Sequence, residues 1–120
     1  MKYMLLIYSP AEGGPSREEL DAEFPRWFTY TAELQQSGIL IAGDALQGRE
    51  TATTVRVRDG ETLITDGPFA ETKELLGGYY LIDVPDVDTA LAWAAKMPHI
   101  AYGTVEVRPL MEIPAEATQS

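Results

Sequence analysis

An α+β domain, with two helices on one face of an antiparallel sheet, is the fold class this sequence predicts. Three observations carry it. Apolar runs of strand length alternate with stretches of helical period. Ser16-Arg17-Glu18-Glu19 forms a capping box that opens one of the helical stretches. Asp59-Gly60 lies between two alternating segments and suits a two-residue hairpin turn. At 120 residues the chain has the size of one domain. Such a domain buries roughly two-thirds of the surface of its unfolded chain, enough for a single core.

The elements follow in order. Residues 2–8 are a continuous apolar run and read as a buried first strand. Residues 9–15, rich in Pro and Gly, form a loop. After the capping box, Leu20, Phe24, Trp27, Phe28, Thr31 and Leu34 recur at helical spacing, and Gly38 terminates the helix. Pro25 lies inside that pattern and is expected to kink the helix or start a second segment. Ile39–Ala42 is a second strand, ending at Gly43-Asp44. Residues 53–66 form the hairpin, in which the Asp59-Gly60 turn pairs Arg58 with Glu61, Val57 with Thr62, Val55 with Ile64 and Thr53 with Asp66. Asp66 then shares a face with Val55, Val57 and Ile64. Gly77-Gly78 is expected to give backbone freedom at the start of the next strand, residues 79–84. Pro85-Asp86 caps a second helix with the apolar stripe Val87, Ala90, Leu91, Ala94 and Ala95, and Pro98 stops it. Thr104–Arg108 alternates as a last strand, with Pro109 at its end. Residues 1–113 make one domain, and the polar residues 114–120 are expected to fray. Without the hairpin the order is βαββαβ, the ferredoxin-like pattern. One sheet face then lacks helices, and a second copy of the chain is the economical cover.

Composition restricts the function. Nineteen Asp and Glu against nine Lys and Arg give a formal net charge of −10. A surface this acidic is repelled by phosphate backbones and anionic lipid, which argues against direct nucleic-acid or membrane partners. The chain has no cysteine, which excludes disulfides, thiolate metal sites and cysteine nucleophiles. The apolar start is too short to span a bilayer, and no cleavage pattern follows it, so a cytoplasmic location is expected. Neither a nucleotide fingerprint, nor a Ser-His-Asp set, nor a metal-ligand spacing is visible, and no cofactor or metal is expected.

Asp66-Gly67-Pro68-Phe69-Ala70-Glu71-Thr72-Lys73-Glu74 is a string that no propensity argument requires. It resembles the DGPF signature of the YCII-related family. Ala42-Gly43-Asp44 with Leu46, Gly77-Gly78-Tyr79-Tyr80, Ala92-Trp93-Ala94 and Val105-Glu106-Val107-Arg108-Pro109 extend the resemblance from Tyr3 to about Met111. It implies a ferredoxin-like subunit, here with the inserted hairpin, that pairs through its sheet into a dimeric α/β barrel. It also implies two functional directions. One is a small-ligand-binding or enzyme-like homodimer, since one branch includes a dehydrochlorinase acting on a hydroxylated aromatic ring. The other is a non-catalytic interaction module with a sigma-factor-type protein partner, the association of the DGPF branch. Some members match a first-helix His with an Asp. Here the corresponding segment, Pro25-Arg26-Trp27-Phe28-Thr29-Tyr30, has no His, so that pair cannot form.

Asp66 is the first candidate for chemistry. It is either an acid or base facing an apolar surface or the cap of the Gly67-Pro68 turn. Phe69 reads as a core anchor. Asp44, at a strand end, is a second carboxylate. His99 is the only histidine, and histidine is the side-chain type that exchanges protons near neutrality. It is either a proton-transfer group or a loop residue that is exposed or hydrogen-bonded. Trp27, Tyr30, Tyr79, Tyr80 and Trp93 either wall a pocket or pack the core. Glu71 and Lys73 bind a ligand or lie in a solvated loop. Arg108 binds an anion or pairs with carboxylates across the dimer sheet.

Overall fold

The computed structural model describes residues 1–69 and 72–114. In chain order it contains β1 (Lys2–Pro10), α1 (Arg17–Gln36), β2 (Leu40–Ala45) and a short 3₁₀ turn (Arg49–Thr51). These are followed by β3 (Thr53–Arg58), β4 (Glu61–Asp66), β5 (Glu74–Asp83), α2 (Val87–Ala94) and β6 (Thr104–Pro109). Four strands form one antiparallel sheet in the order β2-β5-β1-β6, and β3 pairs with β4 in a separate hairpin. This is the ferredoxin-like arrangement with the hairpin inserted between its second and third strands.

Local chemistry accounts for the element ends. The Ser16 hydroxyl accepts from the Glu19 amide at 3.1 Å, and the Glu19 carboxylate accepts from the Ser16 amide at 3.2 Å. Asp86 caps α2 by accepting from the Thr89 amide at 2.8 Å and the Thr89 hydroxyl at 2.7 Å. Those bonds hold the Asp86 carboxyl below its usual range. Asp59 and Gly60 have φ of 52° and 79°, as a type I′ turn requires, and the hairpin register matches the expected pairing residue for residue.

The sequence reading is corrected at three points. Pro25 does not start a second segment, because α1 is one helix through it. Pro25 lies on the exposed side, where water can serve the carbonyl that its missing N–H leaves unpaired. Buried Tyr30 and Leu34 anchor the helix beyond it. Gly77-Gly78 lies inside β5, which begins at Glu74. Phe69 is not a core anchor. It is 70% exposed, with the Arg56 guanidinium 4.5 Å from its ring centre, because the hairpin before it does not pack on the sheet. The tail residues 115–120 lie outside the described residues.

The core lies between the sheet and the two helices. Tyr3 and Leu5 of β1, Ile82 of β5, Tyr30 and Leu34 of α1, Ala90 of α2, with Val84 and Met97, form one buried cluster. The α1 stripe divides along its length. Its last two turns bury Tyr30 and Leu34, while Leu20, Phe24 and Phe28 before them stay 41%, 62% and 65% exposed. The described molecule is flat, 47 × 44 × 19 Å, one helix layer on one sheet layer. Its radius of gyration of 16.9 Å exceeds the roughly 13–14 Å of a close-packed chain of this length.

Candidate functional site

Between the Leu20–Thr31 stretch of α1 and the sheet, a cleft of about 460 Å³ opens. Leu20, Phe24, Trp27 and Phe28 of α1 form one wall, and the ends of β1, β2 and β5 form the other. Phe24 and Phe28 meet edge to face, with ring centres 5.2 Å apart. Glycines keep the strand wall low. A Cβ on Gly43 would come within 2.7 Å of the Tyr80 ring, and one on Gly78 within 2.7 Å of the Asp44 carbonyl.

Polar groups converge at the base of the cleft. Glu23 and Trp27 are one helical turn apart, and the Trp27 indole donates to Glu23 Oε2 at 2.9 Å. The Tyr102 hydroxyl, from the loop before β6, donates to both oxygens of Glu23 at 2.8 and 2.9 Å. Burial and then the bond to Glu23 push the Tyr102 phenol above its usual range, with nearby Arg26 opposing. His99 lies beneath, only 1% exposed. Its ring is 5.3 Å from that of Trp27 and 6.0 Å from that of Tyr102. His99 Nε2 is 3.3 Å from the Thr104 carbonyl. A carbonyl only accepts, so this contact assigns the proton to Nε2 and leaves Nδ1 a lone pair. Among the described residues, nothing pairs with that buried Nδ1. Gly103 permits the arrangement, since a Cβ there would overlap the His99 ring.

At the β2 edge, the Tyr79 hydroxyl donates to Asp44 Oδ2 at 3.0 Å. That bond raises the Tyr79 pKa. The Tyr80 and Thr31 hydroxyls share a 2.6 Å hydrogen bond across the cleft.

The structure thus brings Trp27, Tyr80 and His99 into one cleft, whereas the side chains of Asp44 and Tyr79, opposite each other and in line with Leu6, lie on the other face of the sheet. Tyr30 belongs to the core instead. Its hydroxyl donates to the Trp93 carbonyl at 2.7 Å, and burial pushes its pKa well up. Asp66 and Lys73 line a different and more polar cleft of about 810 Å³, with Arg49 and Glu50, beside the hairpin. Asp66 does not cap its turn among the described residues. The Gly67 amide donates instead to the Ala52 carbonyl at 2.7 Å, and the Thr54 hydroxyl to the Gly67 carbonyl at 2.7 Å. Asp66 is an extended, exposed strand residue opposite Thr53, so its carboxylate is turned to water. Arg108 is exposed on edge strand β6. Glu71 lies outside the described residues.

Sequence reading missed Glu23 and Tyr102. The four-residue spacing of Glu23 and Trp27 was a usable signal for the first pair, whereas nothing local announces that Tyr102 reaches α1. The cleft can hold a small flat molecule and move protons at its base, since it has a carboxylate, an imidazole and phenols within one enclosure. Among the described residues, no group of three or more metal-ligating side chains is placed to hold an ion. No described helix is long and apolar enough to cross a membrane.

A family model described as the YCII-related domain matches residues 1–114. An uncharacterized protein of Rhizobium meliloti (strain 1021) is 51% identical over 61 residues, which is 49% of each chain. The chain therefore spans about half the length of that curated relative. Among solved structures, 5-chloro-2-hydroxyhydroquinone dehydrochlorinase (TftG) from Burkholderia phenoliruptrix is similar, with a TM-score of 0.56 at 11% identity, covering 92% of this chain and 94% of that one. At that identity the likeness shows a shared fold.

Proposed function

Since the chain belongs to the YCII-related domain family, we propose that it is a homodimeric, enzyme-like domain that binds a small ligand in the cleft between α1 and β5. The observation that carries this reading is the cleft itself, apolar and aromatic on its walls with Glu23, Tyr102 and His99 meeting at its base. His99 and Glu23 are the acid–base groups in reach, while Asp44 stands on the opposite sheet face with Tyr79. Asp66 stands apart from them in the hairpin cleft. The similar dehydrochlorinase was solved with 2,5-dihydroxybenzoquinone, and a volume of about 460 Å³ admits a ring of that size. A fluorescence screen of small ring compounds tests the reading through the Trp27 indole. Phe28→Ala, at a 65% exposed position, should weaken a cleft ligand by roughly fivefold to tenfold without unfolding the chain. Phe69→Ala should not change binding. Equal effects of the two variants would place the ligand elsewhere.

The dimer follows from surface left uncovered. Met4, Leu6 and Leu81 point away from the helices, and the hairpin exposes Val55, Val57 and Ile64. A second copy covering both would close the sheets into a barrel. Light scattering should give twice the chain mass at micromolar concentration, and a stable monomer would exclude the dimer. A second reading, an interaction module for a sigma-factor-type partner, is favoured by the same exposed hairpin and the charge of −10. It requires that charge reversal in a basic partner abolish binding while the cleft's ligand affinity stays unchanged.

A further inference from the structure

We propose that the cleft selects a protonated amine carried on a flat apolar body, with His99 Nδ1 and the Glu23 carboxylate as its acceptors; this rests on the ligand-binding reading of that cleft. The strongest donors on the cleft walls are already engaged within the protein. The Trp27 indole and the Tyr102 hydroxyl donate to Glu23. The Tyr80–Thr31 pair and Ser9 hold hydroxyls that serve either way. What remains is acceptor capacity. His99 Nδ1 is a lone pair inside a ring only 1% exposed, turned away from the Gly103–Thr104 backbone that holds the opposite edge. A buried acceptor without a donor carries a desolvation cost that a ligand N–H or O–H removes.

Charge narrows the choice further. The lining contains the carboxylate of Glu23 and no lysine or arginine, whereas Asp44, opposite Tyr79, carries its carboxylate on the other face of the sheet. Arg26, whose charge acts on Tyr102, is exposed and is not part of the lining. An anionic ligand would enter against the Glu23 carboxylate and would present acceptors to acceptors. A cation gains twice, from charge-assisted bonds to Glu23 and from the faces of Trp27 and the neighbouring rings. An ammonium also brings three donors, enough for His99 Nδ1 and Glu23 together.

Three probes that share one ring and differ in the head group test this: phenethylamine, phenethyl alcohol and phenylacetate. Titrations followed by Trp27 emission and by amide shifts of Gly78 and Gly103 should rank amine above alcohol, with phenylacetate weakest. The amine should exceed phenylacetate by roughly tenfold or more, the scale of one charge-assisted hydrogen bond. Glu23→Gln, which keeps the acceptor oxygen and removes the charge, should bring amine and alcohol to within about threefold of each other, since a charge-assisted bond becomes a neutral one. His99→Phe should weaken both donors and leave phenylacetate unchanged. Should His99→Phe fail to fold, the Glu23→Gln comparison decides alone. Phenylacetate binding the native cleft as tightly as the amine overturns the amine assignment and leaves the ligand-binding reading standing. None of the three perturbing Trp27, Gly78 or Gly103 overturns both.

Discussion

In the four-stranded sheet Leu5 and Ile82 are fully buried, whereas in the β3–β4 hairpin Val55, Val57 and Ile64 are 63%, 58% and 69% exposed. Both regions have clear strand patterns, and both pair in one register. The difference lies in what reaches them in three dimensions. Tyr30 and Leu34 of α1 and Ala90 of α2 close over one face of the sheet. Among the described residues, neither β3 nor β4 contributes a side chain to the buried core. An isolated two-stranded hairpin is marginally stable in water, so a well-formed turn specifies its geometry without making it independently stable. The candidate cleft belongs to the sheet side, where helix packing fixes Glu23, Trp27 and His99. The Asp66–Glu74 string, one of the segments by which the sequence resembles the family, begins on the hairpin side.

The comparison can be broken most forcefully in the core. Leu34→Ala should cost about 2–5 kcal/mol, because a fully buried side chain at the helix–sheet junction leaves a cavity. Denaturant unfolding measures it, and a loss below about 1 kcal/mol would mean that the sheet side is no better packed than the hairpin.

Gly60→Val comes next. A β-branched residue at φ 79° strains the hairpin by about 1–3 kcal/mol. Amide exchange should quicken across β3 and β4 and the proposed dimer should weaken, while β1 and β5 amides keep their protection. Uniform acceleration in both regions would show that hairpin and sheet unfold as one unit.

Asp66→Asn should cost about 1 kcal/mol or less, since an exposed carboxylate outside a buried network contributes little. Calorimetric titration of a cleft ligand should give an unchanged affinity, because Asp66 lines the other cleft. A hundredfold loss of any turnover in a stable Asn variant would join the two regions into one site.

The smallest effect is expected in alkali. Tyr30 and Tyr102 have pKa values raised above the ordinary phenol range, by burial in both and by the Glu23 bond in Tyr102. A raised folded value means that their stabilising contribution is complete below about pH 10, the unfolded value, and is lost as pH rises through the folded values. The hairpin contains no tyrosine and should show no such loss. Tyrosinate absorbance against pH should resolve a late-titrating class, and Tyr102→Phe should remove one member of it. A single titration for all the tyrosines would deny that the cleft base is shielded.

Much of this protein was legible in its sequence because the relevant physics is local. A capping box joins residues three apart, an Asp-Gly turn sets both its φ angles and the register of its strands, and period two against period 3.6 separates strand from helix. From these follow the element order, the hairpin pairing and the ferredoxin-like class. Tertiary structure alone decided which apolar residues find cover. Phe24, Phe28 and Phe69 match the core residues in type and are exposed, since burial depends on distant segments arriving over them. It also decided the site. Asp44 and Asp66 are equivalent as strand-end carboxylates, yet one stands on the open face of the sheet and the other lines the hairpin cleft. Glu23 and Tyr102 are 79 positions apart and share hydrogen bonds, and His99 is buried because the chain around Gly103 folds back beneath α1. Convergence of this kind is a property of packing, and no pattern of neighbouring residues encodes it.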